Sequence, residues 1–265
     1  MAFYAETFLY AGIPSEFYGL YLGEFGGTGE AITVTASDVT PLTQKLFRRP
    51  SPLYYGAEQV APLSFPLSMY SEAEITAQDY SLISTWLFGQ QNYQILRICQ
   101  NDMTDIFFKC LLTAPNITRE GNIIRGITCT VTCDSPWGYK PSQTVKYVYT
   151  GGNIVADTKY FLNESANTFY TYPSNLVITA NVFGGYIHIT NASDTDREFT
   201  LTLSPNEVVT LDCENQIISS TLTTYPLENF NSLWLRLVPG LNTLEIEGNI
   251  SQIEITVPVA TKIGG

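Results

Sequence analysis

Gly126-Ile127-Thr128-Cys129-Thr130-Val131-Thr132-Cys133 alternates without a break. Ile127, Cys129, Val131 and Cys133 fall on one face and the three threonines on the other, the period-two pattern of a strand with one face buried and one solvated. Working outward, the same texture recurs at 31–35, 93–99, 105–112, 176–180, 186–190, 198–203, 208–211, 242–247 and 252–257. Thr, Tyr, Val and Ile suit a pleated surface, and Gly, Pro, Asn and Asp cluster between the runs. The expected class is mainly β, in sandwiches.

One segment departs from this rule. Over 76–88, Tyr80, Leu82, Ile83, Trp86 and Leu87 recur at three- and four-residue spacings, which predicts an amphipathic helix. Thr76 followed three residues later by Asp79 is a start signal, and Gly89 marks the stop. Strand 93–99, a turn at 100–104 and a strand from Asp105 read as a hairpin leaving the helix. Asp134-Ser135-Pro136-Trp137-Gly138-Tyr139-Lys140-Pro141-Ser142 then ends the alternation with two prolines and a glycine, so a linker or corner belongs there. Two domains follow, 1–139 with one α-helix and 140–265 all β, a division that suits 265 residues.

Composition narrows the function classes. Hydrophobic residues make up 45% and charged ones 14%, the balance of a packed globular chain. With 13 Lys+Arg against 25 Asp+Glu, the net charge of -12 repels phosphate backbones and anionic lipid, so neither nucleic-acid nor membrane binding is expected. Every apolar run stops well short of the roughly 18 residues a membrane span needs. Residues 1–15 lack a basic start and carry Glu6 within their apolar stretch, unlike a secretory leader. Cys99, Cys110, Cys129, Cys133 and Cys213 read as free, mostly buried thiols, an odd number without a disulfide framework.

Catalytic patterns do not assemble. His188 is the single histidine, and in Tyr186-Ile187-His188-Ile189-Thr190 it shares the solvent face of a strand with Tyr186 and Thr190. No G-x-S-x-G elbow accompanies it. Cys129 and Cys133, four apart at about 3.3 Å per residue, are too far apart to chelate one zinc ion. Asp194-Thr195-Asp196-Arg197-Glu198 lacks the glycine and distal glutamate of a calcium loop and reads as a solvated turn. Gly23-Glu24-Phe25-Gly26-Gly27-Thr28-Gly29 lacks the Lys-Ser/Thr pair of a phosphate cradle and reads as a loop. The Asn-X-Ser/Thr sequons at Asn116, Asn163, Asn191 and Asn249 are read as coincidental, since nothing indicates secretion. No catalytic residue, cofactor or metal site is expected, and the chain is not read as an enzyme.

Phe47-Arg48-Arg49-Pro50-Ser51-Pro52-Leu53-Tyr54-Tyr55 stands out instead. Prolines there argue against regular structure, while aromatics and arginines, the residue types enriched at interface centres, accumulate. Phe47, Arg48, Arg49, Tyr54 and Tyr55 are therefore the candidate subunit interface, with Arg48 and Arg49 available to acids on a neighbouring copy.

Several stretches together resemble the distal tail protein of siphophages. They are Pro52-Leu53-Tyr54-Tyr55-Gly56, Pro62-Leu63-Ser64-Phe65, Ile75-Thr76-Ala77-Gln78-Asp79-Tyr80 running into Trp86-Leu87-Phe88, the hairpin at 93–102, Thr132-Cys133-Asp134-Ser135-Pro136-Trp137-Gly138-Tyr139, and the run from Leu233 to Gly248. The resemblance implies an N-terminal β-sandwich belt domain that closes into a homo-hexameric ring, and a C-terminal galectin-like β-sandwich on its periphery. It implies a hub in the virion tail tip, assembled in the bacterial host cytoplasm. Its partners would be the tail tube protein, a tail-associated baseplate or fibre protein and, in some phages, a receptor-binding protein. DNA would pass the channel without specific binding. A carbohydrate-binding protein using the C-terminal sandwich on host cell-wall glycans is the alternative.

Overall fold

The computed structural model describes residues 2–3, 5–23, 32–33, 39–59, 61–101, 103–150, 155–167, 169–222 and 226–263. Of the glycine-rich loop expected at 23–29 and the strand expected at 31–35, only Gly23 and Ile32–Thr33 are described; the rest, like Asp102 in the expected hairpin, lies outside the described residues. The chain divides into two compact units, Met1–Tyr139 with Lys262–Gly265, and Lys140–Thr261.

In the first unit seven antiparallel strands lie side by side in the order Ile13–Pro14, Phe8–Tyr10, Gln94–Ile98, Phe108–Glu120, Ile123–Cys133, Ser64–Ile75, Tyr21–Leu22. The Leu22 N–H donates to the Glu6 carbonyl at 2.8 Å, so the two ends of the sheet meet and the layer folds over its own core. Cys129, Val131 and Cys133 are buried there with Phe8, Leu67, Met69, Leu96 and Phe108, as the alternation requires. Helix Ala77–Phe88 brings Ile83, Trp86 and Leu87 to the same core. Trp86 Nε1–H donates to the Tyr10 carbonyl at 3.0 Å, and its ring stacks between Phe8 and Tyr18.

The helix starts where the sequence places it: Thr76 Oγ1 accepts from the Asp79 N–H and the Asp79 carboxylate accepts from the Thr76 N–H. Gly89 ends it at φ -81 rather than in the left-handed region. Glycine is needed there for space, because a Cβ would stand 2.5 Å from the Thr85 carbonyl oxygen. The strand expected from Asp105 begins at Phe108, since two successive turns, Met103 N–H to Gln100 O and Ile106 N–H to Met103 O, lengthen the connection. The corner at 134–142 is only the bend Asp134 to Trp137, after which Gly138–Val148 is already a strand.

The second unit is a sandwich of a five-stranded and a four-stranded sheet. The first runs Gly138–Val148, Ile250–Thr261, Asn175–Ala180, Val208–Asp212, Ile217–Ser220, and the second Val155–Asn163, Gly240–Gly248, Gly185–Asn191, Arg197–Leu203. Alternate residues of both, among them Leu176, Ile178, Ile187, Ile189, Phe199, Leu201, Leu244, Ile246, Ile253 and Ile255, form one core. Each such side chain contributes about 1.5–3 kcal/mol on burial. The described residues are mainly β with one α-helix, the class read from the alternation.

Candidate interaction surface

The segment singled out at 47–55 forms the outer end of a hairpin. Val39–Gln44 pairs antiparallel with Leu53–Gln59, placing Thr43 opposite Tyr54 and Gln44 opposite Leu53, with a bulge at Tyr55 and Gly56. Regular structure was not expected beside these prolines. It is compatible with them because Pro50 and Pro52 precede the strand, and Pro41 sits in a strand with one free edge, where a missing N–H leaves no ladder bond unmade.

Among the described residues these two strands pair only with each other. From Thr40 to Pro52 every side chain is exposed. Phe47 is 91% exposed, Tyr54 66% and Tyr55 63%, and Leu42 and Leu46 add further apolar surface. Arg48 holds φ +66, unusual for a side chain of its size, and its guanidinium lies 5.2 Å from the Phe47 ring centre. The Arg49 N–H donates to the Leu46 carbonyl, and the Tyr55 hydroxyl to Gln44 Oε1 at 2.9 Å. All five predicted interface residues thus share one hairpin, whose sequence carries Lys45, Arg48 and Arg49 and no acid between Asp38 and Glu58.

Other cations of the first unit are engaged internally. Arg97 and Lys109 lie over the rings of Phe107 and Tyr139, Lys262 over Trp137, and Arg125 pairs with Glu120 and donates to the Glu72 carbonyl. The same unit carries a groove of about 540 Å³ lined by Glu6, Thr7, Glu16, Cys99, Gln100 and Asn101. Nothing in the sequence brought Glu6, Glu16 and Cys99 together, since they meet only through the pairing of Phe8–Tyr10 with Gln94–Ile98.

In the second unit His188 lies on the outer face with Tyr186 and Thr190, its Nδ1 2.9 Å from Glu198 Oε1. A groove of about 600 Å³ crosses this face, lined by Thr158, His188, Thr190, Glu245 and Glu247 among others. Asp194, from the acidic run weighed for calcium, is 3% exposed and held by Arg236, whose Nε and Nη2 donate at 2.6 and 3.1 Å. Those bonds push the guanidinium pKa further up, and the Tyr170 ring covers it at 3.5 Å. Each Asp194 carboxylate oxygen thus accepts one hydrogen bond from Arg236. Among the described residues no three of His, Cys, Asp and Glu converge as a metal site. The five cysteines are free; Cys99 is exposed and the others buried, as expected of most of them.

The fold is two β-rich units, the first with a hairpin that turns aromatic and cationic side chains outward, and among the described residues no helix is long and apolar enough to cross a membrane. Family models match both halves of the chain: residues 3–135 match a phage tail protein N-terminal domain and residues 137–257 a phage tail C-terminal domain. The chain belongs to this phage tail protein family and is a component of a virion tail. No curated protein matches it. Among solved structures it is similar to the crystal structure of the SPP1 Dit protein, titled a paradigm of the hub adsorption apparatus in phages infecting Gram-positive bacteria. The TM-score is 0.67 at 12% identity, covering 95% of this chain and 98% of that one. The siphophage distal tail resemblance read from the sequence is therefore matched by the fold.

Proposed function

We propose that six copies close into a ring that serves as the hub of a siphophage tail tip. Residues 1–139 form the belt of this ring, and the galectin-like sandwich at 140–265 stands on its periphery. One ring face takes the tail tube protein and the other the tail-associated baseplate or fibre protein, with a receptor-binding protein attached in some phages. DNA leaves through the channel, and a net charge of -12 keeps phosphates sliding rather than adhering. Assembly takes place in the host cytoplasm.

The observation that carries this reading is the hairpin at 39–59. An isolated two-stranded hairpin is marginal in water, and one that also exposes Phe47, Tyr54 and Tyr55 has its cover elsewhere. A patch that meets a different patch on the next copy makes a heterologous contact, and such contacts close into rings when the rotation permits. Light scattering of the purified chain is expected to give about six times 29.4 kDa. A stable monomer at micromolar concentration refutes the ring.

A second reading concerns the outer groove of the sandwich. Tyr160, 68% exposed, follows Thr158 on the same face, so a ring and a row of hydroxyls and carboxylates are presented together to a cell-wall glycan. Glycan-array binding that disappears in Tyr160→Ala would support it, and a blank array with the native chain would dismiss it.

A further inference from the structure

We infer that the acidic groove at Glu6 and Glu16 is the receptor for the hairpin end Phe47-Arg48-Arg49 of a second copy of this chain. The inference rests on the ring reading above and specifies its contact.

The charges call for this pairing. The hairpin carries three cations and no acid from 39 to 57, on a chain whose net charge is -12. Among the described residues neither Arg48 nor Arg49 has an ion-pair partner in its own chain, and Glu6 and Glu16 have none either. Elsewhere in the unit Glu120 is paired with Arg125, Asp79 caps the helix and Asp134 accepts from the Tyr139 hydroxyl, while Glu72, Glu74 and Asp105 also have no ion-pair partner among the described residues but do not line the groove. Two complementary patches left unsatisfied on one molecule satisfy each other between molecules, which is the condition for a heterologous contact.

The groove also suits the chemistry of the incoming group. Its lining presents the carboxylates of Glu6 and Glu16 with the polar side chains of Thr7 and Asn101 and no cation. A guanidinium, planar and with five donors, matches such acceptors better than an ammonium does. Phe17 follows Glu16 in the chain and is 73% exposed, giving Phe47 an apolar surface to cover. The αL turn at Arg48 holds ring and guanidinium side by side, so both arrive together.

Cys99 lines the groove and is exposed, whereas Cys110, Cys129, Cys133 and Cys213 are buried. A short bis-maleimide linker applied to Arg49→Cys is expected to yield a ladder of covalent multimers in denaturing gels, and adding Cys99→Ser should abolish it. In parallel, Arg48→Glu with Arg49→Glu, and Glu6→Arg with Glu16→Arg, should each reduce the mass to that of one chain, and the four changes combined should restore the ring. A native ring with no Cys99-dependent ladder overturns the inference while leaving the ring standing. So does a ring indifferent to either charge reversal, or reversals that fail to rescue one another. A native chain that is monomeric fails the ring reading itself.

Discussion

At Gly248 the backbone runs at φ +141, and a built Cβ would overlap the Tyr186 carbonyl oxygen and approach Ile187 Cα to 2.7 Å. The residue ends an interior strand, opposite both Val155 and Ile187, so neither neighbour can withdraw without breaking a ladder pair. Gly248→Ala is expected to cost about 3 kcal/mol or more, read as a lowered denaturant midpoint of the second unit. The buried thiols give a second prediction at this scale. Burial raises Cys129, Cys133 and Cys213 from 9.0 to about 12, and Tyr10 from 10.0 to about 12. The folded chain therefore keeps protons that the unfolded chain releases. This stabilisation is complete below pH 9, declines as the pH rises through that window, and is exhausted near 12. Urea midpoints should hold steady up to pH 9 and fall above it, less steeply in Cys129→Val.

At the scale of elements, three buried asparagines decide how the second sandwich is closed at one end. Asn163 Nδ2 donates to the Val238 carbonyl and to Thr171 Oγ1, and Asn191 Nδ2 to the Arg236 carbonyl and Asn242 Oδ1. Asn242 in turn accepts from the Val238 N–H and donates to the carbonyls of Val238 and Gly240. Together they clamp residues 236–239, which among the described residues have no strand partner beyond the bridge of Leu237 to Thr171, onto the start of the strand Gly240–Gly248. Asn242→Ala strands the Val238 N–H and its carbonyl partners. A loss of about 2–4 kcal/mol is expected in chemical denaturation; a loss below about 0.5 kcal/mol would mean that water replaces the amide.

The asparagines were legible in part. The alternation that places Ile187 and Ile189 inward also places Asn191 inward, and Leu244 and Ile246 do the same for Asn242. Inward polar residues at the end of an apolar alternation were the available signal. What alternation does not reveal is an edge. Gly138–Val148 with Pro141, and the hairpin strands with Pro41, carry prolines and few buried side chains, because an edge leaves N–H groups unpaired and faces exposed. The helix was legible because Thr76 and Asp79 form its cap from within four residues, whereas the groove of Glu6, Glu16 and Cys99 joins segments separated by more than eighty residues.

For the molecule as a whole, the order of the chain matters more than either unit. The chain leaves the first unit after Tyr139, builds the second through Thr261, and returns at Lys262. Ile263 is 2% exposed in the core of the first unit, and it packs so closely on Gly138 that a Cβ there would lie 2.8 Å from Ile263 Cδ1 and 3.1 Å from Ile106 Cγ2. The first core is therefore completed by the last described residue, which follows the whole of the second unit in the chain. Lengthening such a loop adds only about 0.6 kcal/mol for each doubling of length, so burial of one side chain offsets a few doublings. Ile263→Ala should cost about 2–4 kcal/mol and charge that loss to the first unit alone. Amide hydrogen exchange separates the two outcomes. Protection in Ile123–Cys133 should fall while Gly240–Gly248 keeps its own. Equal losses in both strands would mean that the units unfold as one, and that Ile263 stabilises the chain as a whole rather than sealing the unit it returns to.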